Sequence, residues 1–248
     1  MWDGKRIAVI VPCFQEAILV GRMLERLPRW VDSIVAVDDA SSDGTVEAIL
    51  AVADPRVRLV RHETNRGVGA AIVTGYGCGL DAKAEILVVM AGDDQMDPED
   101  LPHLLGPICG GTADYVKGNR FRHRDRRKMP LLRRWGGRLL SALTRAATGL
   151  RVDDTQCGFT ALDAQVALRL PLAELWPRFG YPNDLLGMLA GRRLRITEVP
   201  VRPVYAEERS GVRFWHLMQI AWIIGRRWWR ERRRAEAAVE GRLAANVD

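Results

Sequence analysis

Short apolar runs alternate with helix-patterned segments through the first half of this chain. No other feature of the 248-residue sequence narrows the possible folds as much. Residues 6–11, 33–37, 57–60 and 86–90 read as strands: short, rich in Val, Ile and Leu, and bounded by polar turns. Between and after them, residues 17–27, 44–52, 68–80 and 98–109 carry helical patterns, the last opened by Pro98, which suits a first helical turn. This alternation predicts parallel βαβ units, hence an α/β fold with a mostly parallel, doubly wound sheet flanked by helices. In such sheets ligands sit outside the carboxyl ends of the strands. The polar segment after each strand is therefore where chemistry is expected.

The first of these segments is Pro12-Cys13-Phe14-Gln15-Glu16, and the second runs from Asp38 to Thr45. Adjacent carboxylates at a strand end, Asp38 and Asp39, suit a base N–H or ribose hydroxyls, whereas Asp43 reads as the N-cap of the next helix. Gly67 and Gly69 start the third helix, where glycine lets backbone approach a phosphate or another helix closely. No Gly-Lys-Ser/Thr follows, so this is not a P-loop, and no dinucleotide fingerprint follows the first strand, which argues against a dehydrogenase. The fourth segment gathers Asp93, Asp94, Gln95 and Asp97 ahead of Pro98. A hard divalent cation takes one or two carboxylates plus substrate phosphates. An acidic helix N-terminus is the competing reading, and it suits Asp97 best, as the helix cap.

Taken in order, Pro12 to Glu16, Asp38-Asp39 with Asp43-Gly44-Thr45, Asn65-Arg66-Gly67 with Gly69, and Asp93-Asp94-Gln95 resemble the family-two inverting glycosyltransferases of GT-A fold. The resemblance implies a nucleotide-diphosphate sugar held by Pro12, Phe14, Glu16, Asp38, Asp39, Asn65, Gly67, Asp93, Asp94 and Gln95. It also implies a divalent cation, Mg²⁺ or Mn²⁺, at Asp93 and Gln95. One position departs: relatives often carry Asp where this chain has Ala91, so Asp93 is the single matching carboxylate, with Asp94 and Asp97 as neighbours able to compensate. Further on, Asp114 to Phe121, Asp153 to Phe159, Tyr181-Pro182-Asn183-Asp184, a strand at 195–201 and Tyr205 to Gly211 resemble dolichol-phosphate mannosyltransferase and its bacterial polyprenyl-phosphate relatives. That likeness spans about residues 6–213 and implies a polyprenyl-phosphate acceptor, with Arg120, Arg134, Arg138 and Arg209 on its phosphate. Asp93, Arg120, Arg134 and Asp154 are then the expected catalytic set.

The charge pattern suits that chemistry. Lys and Arg exceed Asp and Glu by 37 to 31, and arginines cluster at 120–138 and 226–234. Guanidinium groups hold phosphate oxygens bidentately and relieve repulsion between two anionic substrates. A phosphate monoester, with a second pKa of about 6, is already a nucleophile near neutrality, so the expected transfer of a hexose (mannose or glucose) needs no protein base. A hydroxyl acceptor, the alternative, needs one, with Asp154 or Asp184 as candidates. The non-enzymatic alternative is a basic domain for nucleotide or nucleic acid, although nucleic acid is not the partner that Asp93 and its neighbours suggest.

The four cysteines form no CxxC pair and the four histidines share no metal-ligand spacing, which argues against a zinc site or disulfide framework. Neither a signal peptide nor an apolar stretch of about 18 residues is evident. The expected organisation is a GT-A domain over 1–213, an amphipathic Trp/Arg-rich helix over 214–235 that lies on a membrane surface, and a mobile helical tail over 236–248. The expected location is cytoplasmic, peripheral on the inner face of the membrane.

Overall fold

The computed structural model describes residues 1–129, 131–204 and 214–245. In chain order the elements are β1 (Ile7–Cys13), α1 (Val20–Glu25), β2 (Ser33–Asp38), α2 (Thr45–Ala51), β3 (Val57–Arg61), α3 (Val68–Asp81), β4 (Ile86–Val89), α4 (Leu101–Cys109), β5 (Tyr115–Asn119), α5 (Leu131–Thr148), β6 (Thr160–Asp163), α6 (Ala164–Ala167), α7 (Tyr181–Ala190), β7 (Ile196–Pro200) and α8 (Phe214–Ala245). The strands form one seven-stranded sheet in the order β3-β2-β1-β4-β6-β5-β7.

Strands β1 to β4 pair in parallel, and β7 is parallel to β5. β1 and β4 are buried at every residue because helices cover both faces, which explains their unbroken apolar sequences. Successive side chains alternate between the two layers. Ile7, Val9 and Val11 pack with Met23 and Leu24 of α1 and Leu104 of α4, while Ala8 and Ile10 pack with Ile72 and Tyr76 of α3 and Leu186 of α7.

The exception to parallel pairing is β6, which runs antiparallel to both β4 and β5 and separates them. Four residues between a turn and a short helix carry no readable period, so this strand does not show in the sequence. Its direction matters: Val89 pairs with Thr160 and Lys117 also pairs with Thr160, so the residues just before β6 emerge at the same rim as the carboxyl ends of β4 and β5.

Helix ends follow local chemistry. Asp97 accepts from the Glu99 N–H, as expected of a cap, and Pro98–Asp100 forms a 3-10 turn before α4. Asp43 stands one residue outside the cap Gly44, yet its carboxylate accepts from Thr45 N, Thr45 Oγ1 and Ala17 N.

α8 runs past residue 235 to Ala245 and packs against α5 and α7. Ile220, Ile223, Ile224 and Arg227 are buried. Gly180 has a φ of +98°, and a Cβ there would meet Ile223 Cδ1 at 2.7 Å, so the approach of α8 requires glycine. Arg227 crosses Gly187 and pairs with Asp184 through Nη2–Oδ2 at 2.6 Å and Nε–Oδ1 at 2.9 Å. The far side of α8 exposes Met218, Trp222, Trp228 and Trp229. Among the described residues, no helix is long and apolar enough to cross a membrane.

Candidate active site

Pairing of Cys13 with Asp38, and of Asp38 with Arg61, brings the ends of β1, β2 and β3 level. The ladder continues past the strands, with Asp39 N donating to Cys13 O at 2.9 Å and His62 N donating to Asp38 O at 2.9 Å. Being consecutive, the two carboxylates point apart. Asp38 is fully buried, accepts from Ser41 N and lies 3.3 Å from Arg61 Nε. Asp39 accepts from Arg66 N at 2.9 Å and Gly67 N at 2.6 Å.

Of the pair, only Asp39 lines a cleft of about 500 Å³, together with Pro12, Phe14, Glu16, Asn65, Gly67 and Asp93. Asp38 anchors the turn and is absent from the lining of this cleft. Gly67, at φ +95°, leaves no room for a side chain, since a Cβ would meet Pro177 O at 2.5 Å and Arg178 Cγ at 2.7 Å. Of the two uses open to these glycines, close approach to another segment is the one observed.

At the end of β4, Asp93 lines this cleft and also a second one of about 330 Å³, to which Gln95 and Met96 contribute. Gln95 N donates to Asp93 Oδ1 at 3.1 Å, which ties the two together in a tight turn. Asp94, at φ +54°, turns the opposite way and is buried against Arg22 (Nε–Oδ2 2.7 Å) and Arg26 (Nη1–Oδ1 2.6 Å). Asp tolerates this left-handed conformation better than most residues. Asp94 is absent from the lining of both clefts, and its carboxylate pairs with Arg22 of α1 and with Arg26 just beyond it. Asp97 pairs with Arg26 and Arg202. Ala91 lines both clefts where a second carboxylate was the alternative.

The second cleft is lined further by Arg120, Gln156, Cys157, Gly158, Tyr181 and Arg202. Arg120 is clamped by Asp154, which accepts its Nε at 2.8 Å, its Nη2 at 2.9 Å and its backbone N at 3.0 Å. Burial pushes the Asp154 carboxyl up, but the Arg120 guanidinium and Lys117 outweigh it and hold it below the usual carboxylate range. Asp154 therefore orients an arginine, and it is absent from the lining of both clefts. Behind it, the Glu198 carboxylate accepts from Asp153 N and Asp154 N and from Asn119 Nδ2. Fully buried Lys117, whose ammonium burial disfavours, donates to Cys157 O and pins the loop.

The structure does not bring every expected arginine to the site. Arg134 and Arg138 stand on α5 and line neither cleft, and the Arg138 guanidinium lies 6.0 Å from the Phe121 ring. Arg209 falls outside the described residues. The site also contains residues that sequence reading passed over. Gln156, Tyr181 and Arg202 line the second cleft, and Arg178, Phe179 and Gln219 line the first. Arg202 follows β7 at the same rim, so the rule that found Asp93 reaches it. Gln219 comes from α8 and carried no signal. His62, 2.7 Å from Asp39, shows in sequence only as one of four histidines without metal-ligand spacing.

Among the described residues no group of three His, Cys, Asp or Glu side chains forms a ready-made metal site. Asp93, on the wall between the two clefts, and Gln95, lining the second, supply one carboxylate and one carboxamide, a donor set that fits a Mg²⁺-like cation completed by substrate phosphates and water.

The sequence profile described as Glycosyl transferase family 2 matches residues 8–167. Undecaprenyl-phosphate mannosyltransferase of Micrococcus luteus is 30% identical over 213 residues, covering 82% of this chain and 85% of that protein. UDP-N-acetylglucosamine–dolichyl-phosphate N-acetylglucosaminyltransferase of Methanococcus voltae is 28% identical over 220 residues, covering 82% and 87%. Among solved structures, glucosyl-3-phosphoglycerate synthase of Mycobacterium tuberculosis, in complex with Mn²⁺, UDP and glucosyl-3-phosphoglycerate, has a TM-score of 0.70 at 23% identity, covering 90% of this chain and 80% of that one. At that identity the likeness shows the fold: this is a GT-A-like α/β sheet, as the resemblance of the rim motifs implied.

Proposed function

Starting from glycosyl transferase family 2, to which this chain belongs, we propose that this inverting glycosyltransferase moves a hexose from a nucleotide-diphosphate sugar to a polyprenyl phosphate at the cytosolic membrane face. The observation that carries the reading is Asp93 on the wall shared by two clefts of different chemistry. The cleft with Asp39, Asn65 and Gly67 takes the nucleotide. The cleft with Arg120 and Arg202 takes the acceptor phosphate. Reaction then occurs where the clefts meet.

When bound, a divalent cation held by Asp93 and Gln95 supplies Lewis-acid stabilisation to the leaving diphosphate. Arg120, locked in orientation by buried Asp154, offsets the repulsion between the two anionic substrates. The acceptor phosphate is itself the nucleophile, its second pKa being about 6.

A hydroxyl acceptor would need a positioned base. Both candidates from the sequence are fully buried in ion pairs, Asp154 with Arg120 and Asp184 with Arg227, and neither lines a cleft. That favours the phosphate. The relatives that act on undecaprenyl phosphate and dolichyl phosphate support the same acceptor class. Exposed Trp222, Trp228 and Trp229 on α8, with Arg232 and Arg233 over the last two rings, are the groups that would rest at a lipid interface. Trp135, Leu139 and Leu143, one helical face of α5, are exposed as well and extend the apolar surface available to lipid.

The test is a panel of labelled UDP- and GDP-sugars, each offered undecaprenyl phosphate, undecaprenol and a soluble sugar alcohol in parallel, with Mg²⁺, with Mn²⁺ and with chelator. Label should move only to the lipid phosphate and only with metal. Transfer to a hydroxyl acceptor alone would overturn the proposal.

A further inference from the structure

Asp39 is one of three carboxylates lining the nucleotide cleft, with Glu16 and Asp93, and it is held from behind. His62, the residue following β3, is 6% exposed and places Nδ1 2.7 Å from Asp39 Oδ1. On the far side of the ring, Nε2 lies 3.0 Å from Oγ1 of Thr74 on α3. We propose that His62 is a positioning residue of the nucleotide cleft, holding Asp39 so that one acceptor lone pair faces the donor's base or ribose. This rests on the nucleotide-sugar reading above.

The argument is one of acceptor capacity. A carboxylate offers about four lone-pair positions and accepts only. Oδ1 receives Arg66 N–H and the imidazole, and Oδ2 receives Gly67 N–H at 2.6 Å. One position, on Oδ2, remains for a ligand in the cleft that Asp39 lines. Without the imidazole, two backbone donors alone would hold the group, and it could turn about its Cβ–Cγ bond. Since Asp39 cannot donate, Nδ1 must carry a hydrogen, which sets the tautomer: in the neutral ring Nε2 accepts from the Thr74 hydroxyl. Thr74 thereby anchors the ring to α3, whose start forms part of the same cleft through Gly67 and Val68. His62 lines neither of the two clefts that meet at Asp93, so it reaches the donor through Asp39. The arrangement resembles the outer partners that orient metal-binding histidines, whose removal typically costs about 10–100-fold in function.

The experiment compares wild type with His62→Ala, His62→Asn and Thr74→Val. The readouts are UDP and GDP affinity by calorimetry, KM for donor and for acceptor, kcat, and the melting temperature. His62→Ala should raise the nucleoside diphosphate Kd and the donor KM about tenfold, leaving acceptor KM unchanged. His62→Asn, whose carboxamide N–H can stand where Nδ1 does, should recover most of that loss. Thr74→Val should weaken donor binding in the same direction by a smaller factor.

If His62→Ala fails to fold, the other two variants still decide, because a merely structural histidine would lower their melting temperatures without moving donor affinity. Wild-type nucleotide affinity in folded His62→Ala, or an Asn variant no better than Ala, overturns the inference alone. A wild-type protein that binds neither UDP nor GDP, with or without Mg²⁺ or Mn²⁺, overturns the nucleotide-sugar reading and the inference with it.

Discussion

Replacing Arg227 by methionine tests whether the C-terminal helix is part of the catalytic body. The guanidinium is 1% exposed and pairs with Asp184, itself fully buried, at 2.6 and 2.9 Å. Burial alone would weaken the charged form, but the Asp184 and Glu231 carboxylates outweigh it and hold the arginine above its usual pKa. Methionine keeps the stem that packs over Gly187 and deletes the charge together with its hydrogen bonds to Asp184, Glu231 and Glu174 O. Asp184 then retains Trp176 N–H at 2.8 Å and Arg226 at 3.5 Å. Removing one partner of a buried pair costs about 3–5 kcal/mol. With Arg226 still near, the lower end applies, about 3 kcal/mol. At about 2–4 °C per kcal/mol for a chain of this size, the melting point should fall by about 6–12 °C. Urea unfolding at pH 7, with Asp184→Asn and the double variant completing a cycle, gives the coupling directly. The double variant should be less damaged than the two single losses summed. A single-variant loss within about 0.5 kcal/mol, typical of a surface change, would refute the docking of α8 on α7.

Asp93→Asn should reduce lipid-linked sugar formation by several kcal/mol of lost metal and diphosphate stabilisation, about a thousandfold, with the melting point unchanged; undiminished transfer removes Asp93 from the chemistry. Asp154→Ala should free Arg120 and raise the acceptor KM about 10–100-fold while donor KM holds, and equal effects on both would place Arg120 elsewhere in the reaction. Because the folded Asp154 carboxyl titrates below its ordinary value of about 3.9, its stabilisation is complete above that value and disappears as pH falls through the folded one. Asp154→Asn should therefore show a shallower loss of stability below about pH 4, and urea midpoints that fall equally steeply from pH 6 to 2.5 would contradict this. Trp222→Ser with Trp229→Ser should cut sedimentation with anionic phosphatidylglycerol vesicles about tenfold, whereas unchanged binding would exclude the exposed face of α8 as the lipid contact.

Much of the donor side was legible because its signals are local. Apolar runs 33–37 and 86–90 mark strands buried on both faces, and the polar residues just beyond them had to emerge at one rim. Asp93, Asn65 and Gly67 were found in this way, and so was the capping role of Asp97. Within each rim segment, though, sequence could not say which side chain turns inward. Asp38 and Asp39 are neighbours of identical chemistry, and only strand register sends Asp39 to the cleft and Asp38 into the turn. Asp94 differs from Asp93 by one residue and a positive φ, and it ends on Arg22 and Arg26, 72 and 68 positions earlier.

The acceptor side depended on tertiary structure almost wholly. A four-residue strand inserted antiparallel between β4 and β5 carries Gln156 and Cys157 to the rim that holds Asp93 and Arg120. A close approach at Gly180 lets α8 reach the nucleotide cleft with Gln219. By itself the sequence determined that this chain builds a parallel α/β sheet with an acidic, phosphate-suited rim, because burial periodicity and turn chemistry are written in adjacent residues. Which carboxylates line the clefts, which arginine is clamped beside them and which helix adds Gln219 to the lining were decided only by the tertiary structure. Those choices rest on pairings between segments far apart in the chain, which no local pattern encodes.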